Sequence, residues 1–221
     1  MIKRNIAKAV LVGVAASAAL GLAATAAVAT VPTYKITAGT HTSGTIAYTG
    51  KAIGTSSSPA IHFNDKNTGL GTTCVSATAS GTMKLGAHVS GTAMGNITKT
   101  TWTTCKGPAG IVLTPKQPTG SVWTLNGVAR PVNGVTKVFI GNVVANVTTN
   151  IGCKFTVKGK ADGTYTNSTG KLKLTAPRVG DGHKLTASNV SSCLGQVNNG
   201  DTLVFLGTYT VTTAAGKIKI S

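Results

Sequence analysis

The chain has 221 residues and a formal net charge of +17, because 21 lysines and arginines face only four acidic residues. All four are aspartates. The absence of glutamate excludes the H-E-x-x-H helix of zinc peptidases and disfavours the paired-carboxylate chemistry of glycoside hydrolases. No G-x-S-x-G nucleophile elbow or G-x-x-x-x-G-K-[ST] phosphate loop is present either. We therefore expect a protein that is not an enzyme.

The first 29 residues have the features of an export signal. Lys3, Arg4 and Lys8 precede an apolar run from Ala9 to Val28, and Ala27-Val28-Ala29 matches the A-x-A cleavage pattern. A permanent membrane anchor is the alternative, because the run is about long enough to span a bilayer. We predict a signal peptide over residues 1–29 and a secreted, extracellular mature chain over residues 30–221 without a transmembrane segment.

Alternation of apolar and polar residues dominates the mature chain. Lys154-Phe155-Thr156-Val157-Lys158 and Lys171-Leu172-Lys173-Leu174-Thr175 are clear examples, and Asp162-Gly163 and Asn167–Gly170 are interpreted as turns between such runs. No segment after the signal has helical spacing. About ten to thirteen strands predict an all-β fold, an antiparallel β-sandwich or barrel. A duplicated β unit, with halves of about 30–130 and 131–221, stays open.

Four cysteines allow three pairings, and an even number in an exported chain favours disulfide bonds. The run Thr103-Thr104-Cys105-Lys106-Gly107 is echoed by Ser191-Ser192-Cys193-Leu194-Gly195, as if one corner were built twice. From this echo we predict the disulfides Cys74–Cys105 and Cys153–Cys193. A zinc site is the rival interpretation, but no C-x-x-C spacing occurs and the four histidines are scattered. We expect neither a metal nor a cofactor.

The candidate binding residues are two tryptophans and four lysines on the alternating strands: Trp102, Trp123, Lys154, Lys158, Lys171 and Lys173. The tryptophans could form a stacking platform for sugars or bases, but core filling beside a disulfide is the simpler interpretation because aromatic residues are few. The mature chain has 18 basic and four acidic residues, a net charge of 18 − 4 = +14, and 16 of the 18 are lysines. Such a surface attracts anions through a diffuse field, without specific recognition of nucleic acid.

The remaining polar residues have structural interpretations. Each aspartate, at positions 65, 162, 181 and 201, lies in a turn-like context. His62, between Ile61 and Phe63, reads as the outward residue of a strand. A Ser-His-Asp triad assembled from distant residues would leave no trace in the sequence.

Five short segments resemble motifs of a known group of proteins: CKGP at 105–108, IVLTP at 111–115, WTLN at 123–126, GTYTNSTG at 163–170 and NVSSCLG at 189–195. With these motifs, residues 40 to 215 resemble a group of small, β-rich secreted proteins of actinobacteria, a group with no assigned activity. In its cysteine staples and Thr/Ser/Gly-rich strands the chain is more distantly similar to the secreted alkane-oxidation activator proteins of pseudomonads, which are associated with the cell surface or matrix. Neither resemblance implies catalytic residues.

Two functional hypotheses follow. The first is a secreted cationic β protein with a structural or binding role at the cell surface or in the extracellular matrix, in contact with anionic envelope or matrix polymers. The alternative is a small exported enzyme inhibitor or hydrolase that acts through an exposed, disulfide-pinned loop at Lys106–Pro118. The sequence makes no prediction of oligomeric state.

Overall fold

A computed structural model describes residues 31–221. The predicted signal peptide, residues 1–29, lies outside the described residues. The described chain contains thirteen β-strands and one three-residue 3-10 turn, Pro108–Gly110. The strands are β1 (Thr33–Ala38), β2 (Gly44–Ile53), β3 (Ile61–Asp65), β4 (Gly71–Ser90), β5 (Gly95–Lys106), β6 (Val112–Lys116), β7 (Trp123–Gly127), β8 (Val135–Thr149), β9 (Lys154–Thr166), β10 (Lys171–Leu174), β11 (Leu185–Ser191), β12 (Thr202–Thr213) and β13 (Ile218–Ile220). Among residues 31–221, no helix is long and apolar enough to cross a membrane.

The strands form one antiparallel sheet that closes on itself into a barrel. The long strands β4, β5, β8, β9 and β12 each fill one position in the ring. Each remaining position is shared by two strands that follow one another in the chain: β2 and β3, β6 and β7, and β10 and β11. Pairing of β4 with β5 completes a ring of eight positions. The predicted all-β antiparallel fold is confirmed, in its barrel form.

Both predicted disulfides are present, Cys74–Cys105 and Cys153–Cys193, and they lie at the same end of the barrel. Cys105 pairs with Leu113 in β6, and Leu113 pairs with Thr149 at the end of β8. The Thr149 N–H then donates to the Cys153 carbonyl at 2.9 Å. We call this the disulfide end.

The echoed corners share a backbone feature. Thr104 and Ser192, the residues before the second cysteine of each pair, both have left-handed φ angles, 50° and 56°. The corners differ in their surroundings, because Cys105 lies within β5 whereas Cys193 follows β11.

One turn prediction is wrong. Asp162-Gly163 lies within β9, where Asp162 pairs with Phe139 of β8. Asp-Gly favours turns because the Asp side chain can bond its own backbone, but here the carboxylate is buried and is satisfied by groups from the 175–184 segment between β10 and β11. The predicted turn at Asn167–Gly170 is confirmed between β9 and β10.

Buried tyrosines make the fold sensitive to high pH. Burial raises the pKa of Tyr165 to about 12 from 10.0, and burial also raises the pKa of Tyr48 and Tyr209. Because these phenols ionise more easily in the unfolded chain, their contribution to stability is complete below pH 10 and falls as the pH rises toward 12 and above. We expect the urea midpoint to drop between pH 9 and pH 12, with tyrosinate absorbance appearing together with unfolding. Tyr165→Phe should lessen the drop; an unchanged dependence would contradict this assignment.

Candidate functional site

The described surface carries many positive and few negative charges. All 16 lysines of residues 31–221 are exposed. Within these residues no lysine forms an ion pair with an aspartate, because the ion pairs present use Arg178 or His183. The lysine charge is therefore uncompensated.

The aspartates have structural roles. Asp65 accepts hydrogen bonds from the backbone N–H groups of Asn67 and Thr68, at 2.8 and 3.1 Å. Asp201 accepts from the Asn198 N–H at 2.6 Å. Both are buried, and the turn interpretation of these two residues is confirmed.

A depression of about 520 Å³ lies over the outer face of β12, and we call it the β12 channel. It is bounded by the break between β2 and β3 on one side and by the end of β10 on the other. Its lining mixes positive, polar and apolar side chains, among them Ile53, His62, Lys173, Leu206 and Thr208. A depression of this size is in the range of ligand sites in proteins, about 300–1,000 Å³.

Strand register places lysines on both sides of β12: Lys173 lines the channel, and Lys51 and Lys171 lie next to it, beside Thr210. Thr208 of β12 pairs with Lys173 of β10, and Thr210 pairs with Lys171 of β10 on one side and Lys51 of β2 on the other. With neighbouring strands about 4.8 Å apart, the Cα atoms of Lys51 and Lys171 are about 10 Å apart across Thr210. Three lysines thus lie on the two strands that flank Thr208 and Thr210.

Part of this site can be predicted from the sequence. Lys171 and Lys173 are candidates from the alternating pattern, whereas Lys51 and His62 are not, because they lie on strands whose neighbours in the ring are distant in the chain. His62 pairs with Leu206 and is exposed on β3, as its interpretation as an outward strand residue predicted. The missing signal was the register of β12 with β2 and β3, which the local pattern does not encode.

Lys154 and Lys158 lie outside the channel. Both are exposed on β9, where Lys154 pairs with Thr148 and Lys158 pairs with Val144. This part of β9 leads to the disulfide end, whereas the Thr164–Thr166 part pairs with β10 and the channel lysines. The structure therefore divides the four candidate lysines into two pairs.

The candidate tryptophans lie inside the barrel. Their ring centroids are 6.3 Å apart, and the Trp123 indole N–H donates to the Val144 carbonyl at 3.2 Å. Both rings line an interior apolar cavity of about 70 Å³, which the disulfide Cys74–Cys105 also lines. This position agrees with core filling beside a disulfide.

Most of the Lys106–Pro118 segment is paired in the sheet. Lys106 ends β5, and Val112–Lys116 forms β6, which pairs with both β5 and β8. Between them is a short turn closed by the Gly107 N–H, which donates to the Ile111 carbonyl at 2.8 Å. An inhibitor loop presents extended, unpaired backbone to its protease, and this hairpin does not favour that role.

A carboxylate and an imidazole meet on the outer face of β9. The Asp162 Oδ1 atom lies 2.6 Å from Nη2 of Arg178 and 2.8 Å from Nδ1 of His183, and Oδ2 accepts from the Arg178 N–H at 2.7 Å. The His183 ring packs on Phe139 with centroids 4.2 Å apart. Within residues 31–221, no Ser, Thr or Cys side chain hydrogen-bonds to this imidazole. These contacts hold the 175–184 segment against the outer face of the barrel.

The same cluster contains residues of the types that bind metal ions in proteins. Ligand atoms of Asp162, Asp181 and His183 lie within 4.8 Å of one another. The Arg178 guanidinium, however, also bonds Asp181 through Nε at 2.7 Å, and this hydrogen bond holds the pKa of Asp181 below its usual value. Because Arg178 already contacts both carboxylates, it supplies the positive charge that a cation would bring.

Comparison with protein-family models, with curated proteins and with solved structures finds no match to this chain. The resemblance to small secreted actinobacterial proteins therefore stays a prediction, and the site is interpreted from its own geometry.

Proposed function

We propose that this protein is a secreted cationic β protein that binds anionic polymers of the cell surface or extracellular matrix. One observation carries the proposal: all 16 described lysines are exposed, while the four aspartates are engaged by the backbone, Arg178 or His183. A surface of this kind creates a positive field that attracts polyanions over a range set by the salt concentration.

Export is supported by the cysteines. Both disulfides join residues of the described barrel, and disulfides persist in oxidising compartments. Together with the predicted signal over residues 1–29, they support a location outside the cytoplasm.

The β12 channel is the proposed principal contact. Lys173 in the channel and Lys51 and Lys171 next to it can each meet one anionic group of a linear chain, and the hydroxyls of Thr208 and Thr210 can donate hydrogen bonds between them. Ile53, which is 78% exposed, offers an apolar contact at the rim for the carbon face of a sugar ring. This combination fits a polyuronate or another acidic polysaccharide.

Neutralising the channel should weaken polymer binding. The triple variant Lys51→Gln, Lys171→Gln and Lys173→Gln is expected to bind a polyuronate about 100-fold more weakly at low salt, because each lysine near an anionic surface contributes about 1 kcal/mol. Affinity is measured by calorimetry or by retention on the immobilised polymer.

A matched control removes the same charge elsewhere. Lys35, Lys84 and Lys99 are exposed on β1, β4 and β5, and none of these strands pairs with β12. Their triple replacement by glutamine should reduce affinity far less, through the general field alone. Equal losses in the two triple variants would rule out the channel as the principal contact.

A further inference from the structure

Two turns and the start of β6 present exposed apolar side chains at the disulfide end. Leu194 is 86% exposed, Ile151 45% and Val112 43%. These three segments are joined, because the Val112 N–H donates to Oδ1 of Asn150 at 2.9 Å and the disulfide Cys153–Cys193 ties the Ile151 turn to the Leu194 turn. We call Val112, Ile151 and Leu194 the apolar tip.

Leu194 is unfavourable in the isolated protein in two ways. Its φ angle is 51°, in the left-handed region that leucine rarely adopts because its Cβ approaches the following carbonyl. Its side chain is almost fully in water, so no packing compensates for the backbone conformation. The turn from Cys193 to Gln196, closed by the Gln196 N–H that donates to the Cys193 carbonyl at 2.9 Å, requires a left-handed residue at 194 but not an apolar one. The exposed leucine side chain therefore points to a role in binding.

The surroundings of the tip are basic. Lys106 pairs with Val112, and Lys154 directly follows Cys153. Asp65 and Asp201 are buried. The one exposed aspartate, Asp181, lies in the 175–184 segment and is paired with Arg178. An anionic surface that approaches the tip therefore meets lysines without an opposing exposed side-chain carboxylate.

We propose that the disulfide end docks on an anionic lipid bilayer, with the apolar tip inserted among the headgroups and Lys106 and Lys154 against lipid phosphates. One apolar residue or a few lysines alone bind membranes weakly, whereas the two together give useful affinity. Because both disulfides lie at this end, the tip is held in place before it binds, which lowers the entropic cost of docking. The proposal does not depend on the β12 channel.

The test separates the apolar contact from the backbone strain. Leu194→Asn removes the apolar side chain and supplies a residue that tolerates left-handed φ. Ser192→Asn makes the same conformational substitution at φ 56° without removing an apolar group. We expect Leu194→Asn to bind vesicles of phosphatidylglycerol and phosphatidylcholine about tenfold more weakly than wild type, the loss expected for one partly buried leucine. Ser192→Asn should bind like wild type, and neither variant should lower the urea midpoint.

Three results would overturn the proposal: no binding of wild type to these vesicles, equal binding by the two variants, or binding that the triple replacement of Lys51, Lys171 and Lys173 abolishes. Vesicle binding that survives this triple replacement but falls with Leu194→Asn supports it. A protein that binds vesicles in this way and does not bind a polyuronate would remove the proposed polymer function and leave lipid docking in place.

Discussion

Replacing Cys153 and Cys193 together with alanine is expected to lower the free energy of unfolding by about 4 kcal/mol. The two residues are 40 apart in the chain, and a cross-link across such a loop removes much of the entropy of the unfolded chain. The effect is measured by urea unfolding of the oxidised variant under conditions where wild type retains both disulfides.

The other disulfide provides the comparison. Cys74 and Cys105 are 31 apart, so their joint replacement should cost a similar amount, about 4 kcal/mol. The structural consequences should differ. Cys74 and Cys105 face each other in the β4–β5 ladder, whose backbone hydrogen bonds remain when the disulfide is removed, whereas Cys193 lies outside the strands. Loss of Cys153–Cys193 should therefore raise hydrogen exchange at 193–197. A change below about 1 kcal/mol in both variants would show that the barrel does not need its disulfides.

Asp162→Asn is expected to destabilise the protein by about 3 kcal/mol, the low end of the range for removing one partner of a buried ion pair. The Asp162 side chain is fully buried and bonds Arg178 through both the guanidinium and the backbone N–H, as well as His183. The neutral amide leaves Arg178 beside the carbonyls of Val138 and Gly163 without its buried counter-charge. Urea unfolding gives the magnitude, and hydrogen exchange over residues 175–184 shows whether the segment detaches.

Asp181→Asn is the matched control, since it removes the other carboxylate that Arg178 contacts. Asp181 is exposed, so we expect little change in stability at neutral pH. Arg178 lowers the pKa of Asp181. The stabilisation that this contact provides is therefore present above the usual pKa of 3.8 and is lost as the pH falls below that value. Equal destabilisation by the two variants would contradict the assignment of Asp162 as the residue that fastens the segment.

Much of the fold follows from local pattern. Alternation predicts strands such as Lys171–Leu174 because one face of each strand meets the core, and the echoed corners identify the disulfide partners because each pair closes a similar unit. Asp162 shows where local reasoning fails. Its partners Arg178 and His183 lie 16 and 21 residues away, and only the folded chain brings them to the carboxylate. A strand therefore continues through an Asp-Gly pair that alone favours a turn.

The candidate sites depend on tertiary arrangement in the same way. Lys51 and Lys171 become neighbours only because β2 and β10 both pair with β12 at Thr210. Leu194 is an ordinary leucine in the sequence, and only its left-handed backbone and its exposure distinguish it. Neither strand register across a closed ring nor a φ angle is encoded in hydrophobic periodicity.

The uncompensated lysine surface is tested most directly by sedimentation of the purified protein with isolated cell envelope. At about 10 mM salt, where charges interact over about 30 Å, wild type should pellet with the envelope, and at about 1 M salt it should be released. The triple glutamine variant at Lys51, Lys171 and Lys173 should pellet less at low salt than the variant at Lys35, Lys84 and Lys99. Wild-type protein that stays in the supernatant at about 10 mM salt would contradict a polyanion-binding role.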